Sequence, residues 1–165
     1  MRTKVFAAVA ALGVAAVVYF VFFGTSDEDQ IRETLARLAR VAEIKENGGN
    51  PLFAAVRVRD ELKQLLTEDV HVTIPELGGG RQGREGIADA AAQAQLLFSA
   101  AQVDLRHVEV KLAPGAPTAQ ASAEAHLTGT RRGGETRRDD RNVDFLLRKD
   151  DGKWKVKSVT VWSPP

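Results

Sequence analysis

Apolar residues in the N-terminal half of the chain recur every three to four positions, which is the period of amphipathic helices. Ser26 is a capping residue for a first helix, and the glycine signal at Asn47–Gly49 predicts its end. The Asn50–Pro51 pair predicts the start of a second helix, which should end before Asp69. A third helix is predicted over Arg84–Ala101.

Alternation of apolar and polar residues, the period of a half-buried strand, begins at Val70–Ile74 and dominates the chain from Val103 onward. Turn sequences divide the second stretch into four strands, and Asp150–Gly152 is a hairpin signal. The alternation changes phase near Arg106–His107 and again near Lys157–Ser158, which predicts a β-bulge at each place. Helices that precede a run of strands predict an α+β fold with a mainly antiparallel sheet.

One predicted strand carries a stripe of small apolar side chains. Its members are Ala119, Ala121, Ala123, Ala125 and Leu127. Small side chains on the inner face of a sheet let helices pack close to it, or they leave room for a ligand. We favour packing, and both interpretations stay open at this point.

The N-terminus predicts a membrane anchor. Arg2 and Lys4 precede an uncharged run from Val5 to Phe23, and at about 1.5 Å per residue that run reaches the roughly 30 Å thickness of a bilayer core. The alternative is a cleaved signal peptide, but the run ends in bulky aromatic residues at Tyr19–Phe23 rather than in small ones. We therefore expect residues 5–23 to form a single transmembrane helix. By the positive-inside rule, residues 1–4 are cytoplasmic and residues 24–165 form an extracytoplasmic domain on the inner membrane, which is periplasmic in a Gram-negative cell.

Composition narrows the possible chemistry. The chain has 165 residues, the length of one domain, and a formal net charge of only +1, which argues against a nucleic-acid partner. There is no cysteine, so a thiol nucleophile and a cysteine-ligated zinc are excluded. The three histidines, His71, His107 and His126, lack the local spacing of metal ligands, and we expect no metal site.

The sequence GGGRQG at Gly78–Gly83 matches the glycine fingerprint of dinucleotide-binding loops. Three residues separate it from the preceding strand, that strand alternates, and no further βα unit follows. We therefore expect neither a nucleotide nor another cofactor, and we interpret the glycines as a flexible connection from strand to helix. Arg81 and Arg84 could still contact an anion at the start of the third helix.

The order of these elements, together with three phrases, resembles the nuclear transport factor 2-like superfamily, also called SnoaL-like. The phrases are LKQLLTEDVHVTIPE, GREGIADAAA and VDFLLRKDDGKWKVKSVTVW, and the resemblance covers about Asp27–Trp162. It implies a cone in which a strongly curved, mainly antiparallel sheet wraps around three helices, often with a pocket between sheet and helices. Enzymes of the superfamily place aspartate, histidine, tyrosine or arginine inside that pocket.

Few residues on the inward phase of the predicted strands can act as an acid or a base. The residual catalytic candidates are Asp104 and His107, because a bulge can turn them inward. The expected lining of a pocket is apolar and consists of Val72, Ile74, Phe98, Phe145 and Trp154.

The sequence thus favours a membrane-anchored, non-catalytic domain for envelope protein assembly or for binding an apolar small molecule. Its architecture resembles the scaffold subunits of type IV secretion systems and the accessory proteins of mammalian-cell-entry lipid transporters. Such domains often associate through the open face of the sheet, which implies a homodimer. The alternatives are a SnoaL-like isomerase, cyclase or hydratase and a periplasmic lipid carrier.

Overall fold

The computed structural model describes residues 26–46, 49–75 and 79–164. The described residues form three helices, all of them before the four long strands: α1 (Asp27–Ala42), α2 (Pro51–Leu65) and α3 (Arg84–Leu97). The strands are β1 (Leu66–Ile74), β2 (Gly79–Gln82), β3 (Phe98–Lys111), β4 (Thr118–Arg131), β5 (Thr136–Asp150) and β6 (Lys153–Trp162). The predicted α+β class is confirmed.

The strands form one mixed sheet in the order β2-β1-β6-β5-β4-β3. Every neighbouring pair is antiparallel except β1 and β6, so the expected mainly antiparallel sheet is confirmed. Both predicted bulges are present, because the β3–β4 register shifts between Arg106 and Glu109 and the β5–β6 register shifts opposite Lys157. Bulges bend strands and increase their twist, and in this way they help the sheet to curve around the helices.

The helices begin where the capping residues predict. The side chain of Ser26 accepts a hydrogen bond from the backbone N–H of Asp29 at 3.1 Å, and that of Asn50 accepts one from Leu52 at 2.9 Å. Each contact satisfies an N–H group that has no partner within the helix. Pro51 then occupies the first turn of α2, where its missing N–H costs nothing.

The core lies between α1, α2 and the inner face of the sheet. The four alanines of the predicted stripe are all buried, and so are the inward residues of β5. They pack against apolar side chains of the helices. The largest fully buried apolar side chains of the core are Ile31 and Leu35 on α1 and Val70, Leu147 and Val156 on the strands. The alanine stripe therefore serves close packing, the first of its two interpretations.

Two predicted helix ends are wrong, and both errors have the same cause. Helix α1 ends at Ala42 because Ile44 leaves it to pair with Ala101, with N–H···O distances of 2.8 and 2.9 Å. Helix α3 ends at Leu97 instead of Ala101 because the following residues pair with β4. Phe98, expected on the helix, is thus the first residue of β3. Backbone pairing with a distant strand outweighs local helix propensity here.

The glycine sequence is not a simple connection, which corrects the sequence-based interpretation. Gly79–Gln82 forms strand β2, antiparallel to β1. Gly80 pairs with Thr73, and a β-carbon at Gly80 would collide with the carbonyl oxygen of Val72. Gly83 follows with a φ of +81°, which favours glycine, and its N–H donates to the Val70 carbonyl at 2.8 Å. These glycines permit a close strand pairing and the turn into α3.

The predicted membrane helix at residues 5–23 lies outside the described residues. Within the ranges that are described, none of the helices has the length and apolar character that a membrane crossing requires.

Candidate functional site

The apolar residues expected to line a pocket occupy several environments. Phe145 and Trp154 are almost fully buried, at 5% and 2% exposure, and belong to the packed core. Val72 and Ile74 are half-buried on β1. Phe98 is also half-buried, and its ring lies against Gly129 of the neighbouring strand. Their role in ligand binding stays a prediction.

Asp104 and His107 lie on the outer face of the sheet, the face turned away from the helices. The Asp104 carboxylate accepts a hydrogen bond from Arg106 at 2.7 Å. His107 sits in the bulge with a φ of +49°, and its side chain, 75% exposed, contacts Glu124 at 3.0 Å. The bulge thus leaves both residues outside the cone.

A second histidine–carboxylate pair lies on the same face. His126 is the register partner of both Asp104 and Asp140, and its Nδ1 lies 2.6 Å from the Asp140 carboxylate. His71, on β1, is exposed and contacts the backbone carbonyl of Asp69 instead. No cluster of histidine, aspartate or glutamate among the described residues could hold a metal ion.

Arg81 and Arg84, the expected anion contacts, lie at the edge strand β2 and at the first turn of α3. Arg81 is exposed. The Nε of Arg84 is buried and has no hydrogen-bond partner among the described residues. Binding of an anion there stays a prediction.

One end of the cone, which we call the closed end, is sealed where α1 begins. The Asp27 carboxylate accepts hydrogen bonds from Lys149 Nζ at 2.6 Å and from Trp154 Nε1 at 3.0 Å. The bond from Lys149, followed by that from Trp154, lowers the pKa of Asp27 from its usual 3.8. Lys149 Nζ also lies 5.6 Å from the centre of the Trp154 ring, within the range of a cation–π contact. These contacts tie α1 to the β5–β6 hairpin.

The opposite end of the cone, the open end, contains a cleft of about 1040 Å³. The C-terminal half of α1, the face of α2 that includes Ala54 and Val58, and the junction of α3 with β3 form its walls. A smaller depression of about 380 Å³ on the outer face of the sheet is bordered by Phe145 and Leu146, among others. The larger cleft has the size of a small-molecule site.

More cationic than anionic side chains line the cleft. The cations are Arg37, Arg40, Lys45, Arg57 and Arg132, and the carboxylates are Glu43, Glu46 and Glu61. Arg37 donates to Glu61 at 2.7 Å, and Arg40 donates to Glu33, outside the cleft, at 2.9 Å. The five cations and three carboxylates therefore leave the lining with a positive balance.

Sequence reasoning missed these residues. None of the five expected pocket residues lines the cleft. Arg132 belongs to the charged hairpin at Arg131–Arg141, whose abundance of both signs of charge is typical of a solvated surface. The arginines of α1 and α2 occur at ordinary helix-surface positions, so no local signal distinguishes the ones that line a cleft.

Comparison with known proteins identifies the family. The SnoaL-like domain profile matches residues 25–160, so the chain belongs to the SnoaL-like family. No curated protein sequence matches the chain significantly.

Solved structures share the fold at low sequence identity. A nuclear transport factor 2-like superfamily protein from Salmonella enterica serovar Typhimurium aligns with a TM-score of 0.64 and 19% identity, over 82% of this chain and 89% of that one. A type 2 hexachlorocyclohexane dehydrochlorinase aligns at 0.64 and 14% identity, over 81% and 82%. The association domain of C. elegans CaMKII aligns at 0.57 and 16%, over 82% and 94%. At these identities the likeness shows the fold alone.

Proposed function

We propose that this chain is a non-catalytic binding member of the SnoaL-like family and that it holds a small molecule in the cleft. One observation carries the proposal: the two histidine–carboxylate pairs lie on the outer face of the sheet, whereas the cleft opens between the helices. A general base must reach the proton that it removes. Neither pair can do so for a molecule in the cleft.

The carboxylate in the cleft with a defined partner is Glu61, which is ion-paired with Arg37. Both side chains are more than a third exposed, at 38% and 36%. An exposed pair of this kind holds two helices together weakly and stays hydrated.

The test is to recover the natural ligand and follow its fate. The full-length chain is extracted with detergent from cells that express it, bound small molecules are identified by mass spectrometry, and the purified chain is incubated with them. We expect recovery of a ligand that remains chemically unchanged. The bulky substitution Ala54→Trp should abolish its recovery, while Ala116→Trp, at a half-buried loop position outside the cleft lining, should not.

Catalysis would instead appear as conversion of the ligand to a product. A hexachlorocyclohexane dehydrochlorinase shares this fold, so the enzyme alternative needs its own variant. Conversion that Glu61→Gln abolishes, and His107→Ala leaves intact, would overturn the non-catalytic proposal and place the chemistry in the cleft.

We also propose that residues 5–23 anchor the domain to the membrane, with the domain outside the cytoplasm. The uncharged run and the two preceding cations support this placement. A C-terminal alkaline phosphatase fusion should be active, and moving the charges by Arg2→Glu and Lys4→Glu should lower that activity. An inactive fusion to the unchanged sequence would refute the placement.

Self-association through the outer face of the sheet is proposed as well. The association domain of C. elegans CaMKII has the same fold, and Leu146 borders the depression on this face. Chemical cross-linking of the full-length chain in native membranes should yield dimers. Leu146→Arg should remove them, and Leu52→Arg, an exposed leucine on α2, should not. Equal yields from both variants would locate any contact elsewhere.

A further inference from the structure

Five large apolar side chains are exposed together beside the cleft, and we call them the apolar patch. They are Leu52, Phe53 and Val56 of α2 and Leu96 and Leu97 of α3. Their exposure runs from 60% to 77%, and among the described residues Trp162, at 45%, is the one other exposed large apolar side chain. Exposed apolar residues are ordinary when scattered, but a cluster of this kind marks a binding surface.

The two helices that carry the apolar patch pack side by side in opposite directions. Arg59, near the middle of α2, forms ion pairs with Glu85 at 3.4 Å and Asp89 at 2.8 Å, both in the first half of α3. The start of α2 meets the end of α3, because Pro51 and Gln95 line the same cleft. The exposed residues at the start of α2 are therefore neighbours of Leu96 and Leu97.

Arg132 connects the apolar patch to the cleft. Its Nε donates to the Leu96 carbonyl at 3.0 Å and its Nη2 to the Gln95 carbonyl at 3.1 Å, while its own N–H bonds to Leu97. These bonds hold the guanidinium at the C-terminus of α3, where it also lines the cleft. A cation is thus fixed at the point where the charged lining ends and the apolar patch begins.

Two further cations are available at the same mouth. Arg57 lies one turn after Phe53 on α2, and Lys45 follows α1; both line the cleft and are exposed. Neither has an ion pair with a described residue. The carboxylates of the lining that can neutralise them are Glu43 and Glu46, since Glu61 is ion-paired with Arg37. The mouth offers more positive charge than its own carboxylates neutralise.

We propose that the cleft and the apolar patch together bind an acyl chain that carries an anionic head. The head lies between Arg57 and Arg132, and the chain runs over Leu52, Phe53 and Leu96. This specificity rests on the proposed binding function and adds the ligand class to it. Arginine pairs with carboxylate and phosphate through two parallel hydrogen bonds, and an acyl chain covers the apolar surface that the folded chain leaves exposed.

The experiment labels the site in the intact protein. The full-length chain in its native membrane is exposed to hexadecanoic acid that carries a photoreactive diazirine, and the labelled peptides are identified by mass spectrometry. We expect labelling on Leu52–Arg59 and around Leu96. Unlabelled hexadecanoate should compete at a concentration about tenfold lower than the neutral hexadecanol, because the alcohol lacks the charged hydrogen bonds.

Matched variants separate the two parts of the site. Arg57→Gln should lower the labelling about tenfold, whereas Arg138→Gln, at an exposed arginine of β5 outside the cleft, should leave it unchanged. Phe53→Ser should lower it as well, while Trp162→Ser, at an exposed aromatic far along β6, should not. All four positions are exposed, so none of these substitutions should unfold the protein, and a change in labelling reports on binding.

Each remaining outcome decides a specific point. Stronger competition by phosphatidylglycerol vesicles than by hexadecanoate would support the proposed chemistry and assign the ligand to a membrane lipid. Labelling that hexadecanoate does not reduce would be non-specific and would overturn the proposed ligand class. Equal competition by hexadecanol would overturn the anionic preference and leave the proposed binding function intact. Labelling that Ala54→Trp does not reduce would overturn the site and the proposed function together.

Discussion

The two ends of the cone place similar side chains in different environments. At the closed end, Trp154 is 2% exposed and its indole N–H is satisfied by Asp27. At the open end, Phe53 is 77% exposed and charged side chains, mostly cations, surround a cleft of about 1040 Å³. An aromatic ring and an ion pair thus stabilise the end of the cone where α1 begins, and the site proposed for a ligand lies at the end where α1 finishes.

The largest effect should follow from removing the ring at the closed end. Trp154→Ala should lower the free energy of unfolding by about 3–5 kcal/mol, because it leaves a cavity in the core. Urea denaturation of the full-length chain measures the change. Trp162→Ala, whose ring is 45% exposed, should cost less than about 1 kcal/mol. Similar costs for the two variants would show that the closed end is not tightly packed.

The next effect distinguishes packed alanines from an alanine at the cleft. Ala121→Leu should destabilise the fold by about 1–3 kcal/mol, because the stripe leaves no room for a larger side chain against the helices. Ala54→Leu, at a buried position that lines the cleft, should cost less than Ala121→Leu, because the added carbons can extend into the cleft. Tolerance of Ala121→Leu would mean that the sheet leaves space for a ligand after all.

Substitutions in the apolar patch should separate stability from binding. Phe53→Ser should change the unfolding free energy by no more than about 0.5 kcal/mol, because the ring is already exposed. Thermal unfolding, followed by circular dichroism, gives the comparison with the unchanged chain. Marked destabilisation would indicate that the apolar patch is covered within the same molecule.

The smallest effect concerns pH at the closed end. The folded pKa of Asp27 lies below the usual 3.8, so its contribution is complete above that pH and is lost as the pH falls through the folded pKa. Asp27→Asn should therefore lower the melting temperature slightly at pH 7, and this difference should shrink as the pH falls below 3.8. Glu28→Gln, on the same helical turn, is the control. A difference that persists at low pH would show that charge is not the cause.

Local patterns were sufficient for much of the fold. Ser26 and Asn50 predict helix starts because a capping hydrogen bond spans only two or three residues. The phase changes at His107 and Lys157 predict bulges because alternation records the face of the sheet directly. The ends of α1 and α3 were mispredicted because they depend on pairing between residues far apart in the chain.

The candidate site was much less predictable. Arg37, Arg57 and Arg132 come from two helices and a hairpin, and no spacing in the sequence relates them. Asp104 and His107 could be identified as ionisable residues near a bulge, but the direction in which the bulge turns His107 depends on its contact with Glu124 on the next strand. The sequence thus identified ionisable residues, but it did not give their positions relative to a cleft.

By itself, the sequence determined the class of fold, the order of its elements, the buried alanine stripe and the absence of cysteine chemistry, because periodicity, capping and composition are properties of short segments. Tertiary structure alone decided that GGGRQG pairs as a strand, that one end of the cone is sealed by Trp154 and Asp27, and that the other end stays open. The reason is physical: strand pairing, burial and the grouping of charges arise from residues that meet only when the chain has folded.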